Sequence, residues 1–167
     1  IACSQATVTV TVNATNDAPT ANNDMGNTME ETPVTTNVLG NDNDNLDPFG
    51  NIDPTSVTIA TPPANGTVSV NPVTGDITYT PNVNFNGIDT YVYQVCDDGT
   101  PLPAACDQAT VTITVNPTND APVANDDTGN TGENTAVVID VTANDNDNLD
   151  LGNIDPTTVT LVTPPTN

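Results

Sequence analysis

The chain contains no lysine, no arginine, no histidine and no tryptophan. Its 22 carboxylates therefore face no basic side chain, and the formal net charge is −22 over 167 residues. Without Lys or Arg the surface has nothing to attract phosphates, so nucleic acid and anionic membrane surfaces are excluded as partners. Without His or Lys there is no imidazole base and no amine nucleophile, and Lys–Asn isopeptide cross-links cannot form. The three serines, Ser4, Ser56 and Ser69, lie outside any GxSxG setting. A carboxylate pair could still cleave glycosides, but two Phe and three Tyr offer few sugar platforms. The chain is expected not to be an enzyme. It also has no apolar run near the roughly 18 residues that span a bilayer.

What is present is a repeat. Residues 1–47 return as residues 104–150 with 32 of 47 positions identical, and 51–65 return as 153–167 after a one-residue gap. The period is 102 to 103 residues. The division expected is 1–16 as the final strand of a preceding repeat, 17–119 as one complete repeat, and 120–167 as the first part of the next. Ends that fall inside copies are expected of a longer array, and also of a self-associating fibre in which one chain's last strand serves a neighbour.

Low hydrophobicity with high charge could mean disorder, but the apolar residues alternate strictly. Thr7–Val12 reads TVTVTV and Thr110–Val115 reads TVTITV, with Val on one face and Thr on the other. Strands are expected over 26–31, 33–39, 55–60, 66–71, 76–80, 88–96 and 108–115. Proline- and glycine-bearing turns separate them. About seven short strands per hundred residues suit an all-β, immunoglobulin-like β-sandwich. Its core is expected from Val34, Val38, Leu39, Val57, Ile59, Val68, Val70, Ile77, Tyr79, Phe85, Tyr91, Tyr93, Val95, Val111, Ile113 and Val115. That core is thin, so a bound ion is an expected contributor to stability.

Cys96 and Cys106 bracket the turn-rich CDDGTPLPAAC. A disulfide there would staple a hairpin; two reduced, buried thiols are the other reading. Cys3 aligns with Cys106, so its partner is expected in an upstream repeat.

Acidic clusters recur at TNDAPTANND (15–24) and TNDAPVANDD (118–127), at NDNDNLD (41–47 and 144–150), and at CDDG (96–99). Calcium takes six to eight oxygens at about 2.3–2.6 Å, and short Asp and Asn side chains on a turning loop can converge them. Zinc is disfavoured without His. The spacing is neither an EF-hand nor a glycine-rich β-roll. Plain solvated turns remain the other reading. The candidate ligands are Asn16, Asp17, Asp24, Asp42, Asp44, Asp47, Asn119, Asp120, Asp126, Asp127, Asp145, Asp147 and Asp150. For Asp97 and Asp98 the two readings are level.

The strings NGTVSV, YTPNVNFNGIDTYVYQV and VTVNATNDAP resemble the tandem immunoglobulin-like, cadherin-like repeats of very large bacterial surface and secreted proteins. The resemblance covers essentially the whole chain. It implies sandwiches joined end to end and stiffened by calcium at Asp/Asn junctions. It also adds Glu30 and Glu133 as ligand glutamates. The animal cadherin LDRE motif is absent, so strand-exchange adhesion is not implied. The expectation is a non-catalytic structural repeat of an extracellular, cell-surface fibre or adhesin, with neighbouring copies, and other chains in a filament, as partners. A carbohydrate- or surface-binding module and a spacer in a secreted enzyme are the alternatives. Outward strand positions are rich in Thr, and Asn13 and Asn65 lie in N-x-T sequons, so glycans are a further expectation.

Overall fold

The computed structural model describes residues 3–46, 50–100, 102–147 and 153–165. Asp47 and Asp150, expected as ligands, lie outside the described residues. Among the described residues seven strands form: β1 (Asp24–Met29), β2 (Val34–Thr36), β3 (Ile52–Thr61), β4 (Gly66–Val70), β5 (Ile77–Pro81), β6 (Gly87–Asp97) and β7 (Cys106–Asn116). All seven fall within residues 24–116.

They make two sheets, one in the order β1-β7-β6-β3 and one in the order β2-β5-β4. β1 runs parallel to β7, in register from Asp24 opposite Val111 to Met29 opposite Asn116. The other pairs are antiparallel. The architecture is an immunoglobulin-like sandwich. The period-two pattern explains it directly: Tyr91, Tyr93 and Val95 of β6, and Val111, Ile113 and Val115 of β7, are buried against Ile77 and Tyr79 of β5. Tyr79 and Tyr91 stack at 6.4 Å between ring centroids. Ala109 joins the buried core, whereas Val34, Leu39, Ile59, Val68, Val70 and Phe85 are only partly buried at its margin.

Local chemistry sets the strand ends. β1 stops at Met29 because Glu31 takes a left-handed φ of 56° in the turn that follows. β2 is shorter than expected, three residues against seven. β3 shifts register between Asp53 and Thr58, where Asp53 Oδ1 accepts from Thr55 N at 2.9 Å and folds the DPT turn back on itself. Gly66 is required where it stands, since a Cβ there would lie 2.5 Å from Tyr79 Cε2.

Residues 3–19 form no strand, and Val8, Val10 and Val12 are exposed. The same TVTxTV pattern is a strand in β7 because β6 and β1 flank it there; residues 5–13 have no such neighbours in this chain.

Candidate metal-binding poles

β6 ends, and β7 begins, at one end of the sandwich, the upper pole. There the segment 16–24 and the NDND loop meet. Thr20 and Asn43 form an antiparallel bridge. Asp42 Oδ1 accepts from Asn22 N at 2.7 Å, and Asn22 Nδ2 donates to the Asn41 carbonyl at 2.8 Å. Asn41 Nδ2 returns a bond to the Asn23 carbonyl at 3.1 Å. β6 then brings the Tyr93 hydroxyl within 2.8 Å of Asp42 Oδ2, 3.1 Å of the Val38 carbonyl and 3.2 Å of the Asn22 carbonyl. β7 brings Asp107, whose Oδ2 accepts from Ala21 N at 3.0 Å.

The result is uncompensated negative charge. Burial and then the Asp42 charge push the Asp24 carboxyl up to about 6, against opposing hydrogen bonds from Tyr93 and Asn41. Its Oδ2 is buried without a hydrogen-bond partner. Asp42 is also raised, by burial first, with the Asp107 charge adding and the Asn22 and Tyr93 bonds opposing. Burial, the Asp42 bond and the two carboxylate charges hold Tyr93 protonated well above its ordinary range. Asp44 is half-buried in the same loop, and Asp17 is exposed.

Beside this cluster, Cys96 and Cys106 are bonded, closing the loop between β6 and β7. Cys3 is free and exposed in this chain. Asp97, 2% exposed, accepts from Gly99 N at 2.7 Å, from Ala105 N at 3.2 Å and from Asn16 Nδ2 at 2.8 Å. Asp98 faces solvent, where its Oδ1 accepts from Thr100 N at 3.1 Å.

Glu30 follows the upper junction in sequence but sits at the opposite, lower pole. Six residues of strand at about 3.3 Å each carry it roughly 20 Å from Asp24. It is 2% exposed; its Oε1 accepts from Thr118 N and from Thr118 Oγ1, and its Oε2 is buried without a partner. Asn119 and Asp120 follow directly along the chain. Glu30 and Asp24 of one copy therefore lie at opposite ends of the sandwich. In the second copy Asp126, Asp127 and Glu133 are exposed, while Asp145 and Asp147 are half-buried in their loop. Among the described residues, no three carboxylates converge into a group that would hold a metal alone. Orphaned oxygens at both poles, with short Asp and Asn side chains around the upper one, still fit a hard cation whose remaining ligands are carbonyls or a neighbouring copy.

Two acids escaped sequence reasoning. Asp107 had no signal, since Ser4 stands at its place in the preceding copy. Asp89 did have one: it shares the inward phase of Tyr91 and Tyr93. It is 5% exposed and accepts from Ala64 N, Asn65 N, Thr90 N and the Tyr79 hydroxyl. It is a fully used structural acceptor that pins the β3–β4 turn. Asn65 of the second sequon sits in that turn, and Asn13 is exposed.

The family model described as Bacterial Ig domain matches residues 16–114. The chain belongs to that family. Its members are typically non-catalytic, extracellular or surface domains of structural or adhesive type. No curated protein matches the chain. Among solved structures it is similar to the human desmocollin-1 ectodomain, at 20% identity and a TM-score of 0.44. That similarity covers 67% of this chain and 23% of the ectodomain. No helix among the described residues is long and apolar enough to cross a membrane.

Proposed function

We propose that this chain is part of a non-catalytic array of sandwiches in an extracellular fibre or surface adhesin, with calcium locking the junctions between copies. The observation that carries this reading is the pair of poles. Each end of the sandwich presents a buried carboxylate oxygen without a partner, Asp24 Oδ2 above and Glu30 Oε2 below, in a chain that has no cation of its own. Asn16, Asp24, Asp42 and Asp44 serve the upper junction. Glu30, Asn119 and Asp120 serve the lower one together with Asp126, Asp127, Asp145 and Asp147 of the next copy. Calcium supplies the positive charge that the sequence omits, and Tyr93 and Asn22 hold Asp42 in place for it.

Association of neighbouring chains into a filament belongs to the same reading. Sequon glycans at Asn13 and Asn65 are compatible with an extracellular location.

Direct counting of bound calcium, with Asp24→Asn and Glu30→Gln compared with the parent chain, tests the reading. Loss of ions in the variants supports it. Absence of bound ions in the parent chain at millimolar calcium overturns it.

A further inference from the structure

The disulfide-closed loop does more than join β6 to β7. Asn16, in the linker that enters the sandwich, donates through Nδ2 to Asp97 Oδ2 at 2.8 Å and to the Pro103 carbonyl at 2.9 Å. Asp97 is itself fixed from within the loop by Gly99 N and Ala105 N. The Cys96–Cys106 bond closes the base of that loop. Linker and loop border a cleft of about 360 Å³ lined by Ala14, Thr15, Leu102, Pro103 and Ala104, and Leu102 is 84% exposed at its edge.

The chain holds its own control. Asn119 is the same residue of the same NDAP linker one period later. Its Nδ2 turns to the Asp120 carbonyl at 3.0 Å in an exposed setting. The two linker asparagines are therefore held differently within this chain.

We propose that the Cys96–Cys106 loop is a receptor for the incoming linker, with Asn16 as its key. This clamp sets the direction in which the preceding repeat leaves the sandwich, without any metal. The proposal rests on the reading of the chain as part of a tandem array, but not on calcium. A part-buried, charge-assisted bond from a neutral amide to Asp97 survives chelation and is less screened by salt than contacts between exposed charges. Calcium at Asp24 and Asp42 then acts on a linker already aimed.

The test is nuclear magnetic resonance on the whole chain, calcium-free in chelator. Three species are compared: the parent, Asn16→Ala and Asn119→Ala. In the parent, backbone order parameters for residues 14–18 are expected near 0.85, as in the sheets, and those for 117–121 below. The Asn16 side-chain amide protons are expected to exchange at least tenfold more slowly than those of Asn119. Asn16→Ala should drop residues 14–18 below about 0.6 while leaving the β6 and β7 resonances in place. Asn119→Ala should leave residues 14–18 unchanged. Equal exchange at Asn16 and Asn119, or a linker that becomes ordered only when calcium is added, overturns the clamp. The second of these outcomes leaves the calcium reading standing, so the two fail separately.

Discussion

The chain carries the same sequence in two circumstances, once with all of its strands and once without the last four. Several turn and loop hydrogen bonds recur in both. Asn22 N to Asp42 and Asn125 N to Asp145 are both 2.7 Å. Asn22 and Asn125 both reach the facing Asn carbonyl at 2.8 Å. Thr28 to the Thr32 carbonyl and Thr131 to the Thr135 carbonyl are both 2.6 Å. Asp53 and Asp155 both fold their DPT turn through a 2.9 Å bond. Burial of the core valines differs. Val38 is 0% exposed and its counterpart Val141 is 41%; Val57 is 5% and Val159 is 51%.

The comparison separates what is local from what is not. Asp, Asn and Thr side chains close their turns on neighbouring backbone wherever the sequence occurs. Strands need partners distant in sequence: β1 is held by β7, 87 residues on. The candidate site has both origins. Its loop is present in either copy, but Tyr93 from β6 and Asp107 from β7 act on Asp42 from strands distant in sequence.

The largest test supplies what is missing. Because Asn167 corresponds to Asn65, appending a second copy of residues 66–119 after it continues the register. A second cooperative unfolding transition should appear, and Val141 and Val159 should become protected from solvent. A chain that still melts once would show that the second copy does not fold on its own strands. The converse test removes the first sandwich. Tyr79→Ala should cost about 3–5 kcal/mol, measured by denaturant unfolding, while signals of the 125–145 loop persist. Loss of that loop together with the core would contradict its local origin.

Smaller effects follow. Replacing Cys96 and Cys106 by Ser should cost about 2–3 kcal/mol, from the freedom regained by a short loop in the unfolded chain. Asp89→Asn strands donors from three elements and should cost about 1–3 kcal/mol. A change below half a kcal/mol in either case would assign stability elsewhere. The smallest is electrostatic. Asp24 is raised in the fold, from 3.8 to about 6, so the native state binds its proton more tightly than the unfolded chain. Its contribution to stability is full below pH 3.8 and is lost as pH rises through 6. Calcium-free protein should therefore gain stability between pH 7 and pH 5. Asp24→Asn should gain about 1 kcal/mol or less at pH 7, after allowance for solvent screening, and flatten that pH dependence. A parent chain that loses stability over this interval has the sign wrong.

Much of this was legible beforehand. Seven strands and most of the core follow from period-two alternation, because Val, Ile and Tyr at one phase leave no other face to bury. The pairing of Cys96 with Cys106 follows from their flanking strands. The grouping of the acids was not legible. Asp24 and Glu30 lie close in sequence, yet the straight strand between them sends them to opposite poles. Asp107 reaches the upper pole through strand pairing, which no spacing along the chain announces. For Asp97 a metal ligand and a solvated turn were level in the sequence; it is a buried anchor, and Asn16, 81 residues earlier, returns to meet it.

Thermal unfolding of the complete chain at neutral pH, in millimolar calcium and then in chelator, bears most directly on whether the poles need a cation. Stabilisation of about 2.7 kcal/mol at a hundredfold excess over the dissociation constant should raise Tm by several degrees in calcium, and Asp24→Asn should abolish most of the rise. Identical melting curves in the two buffers would contradict calcium locking and leave the acidic loops as hydrated turns.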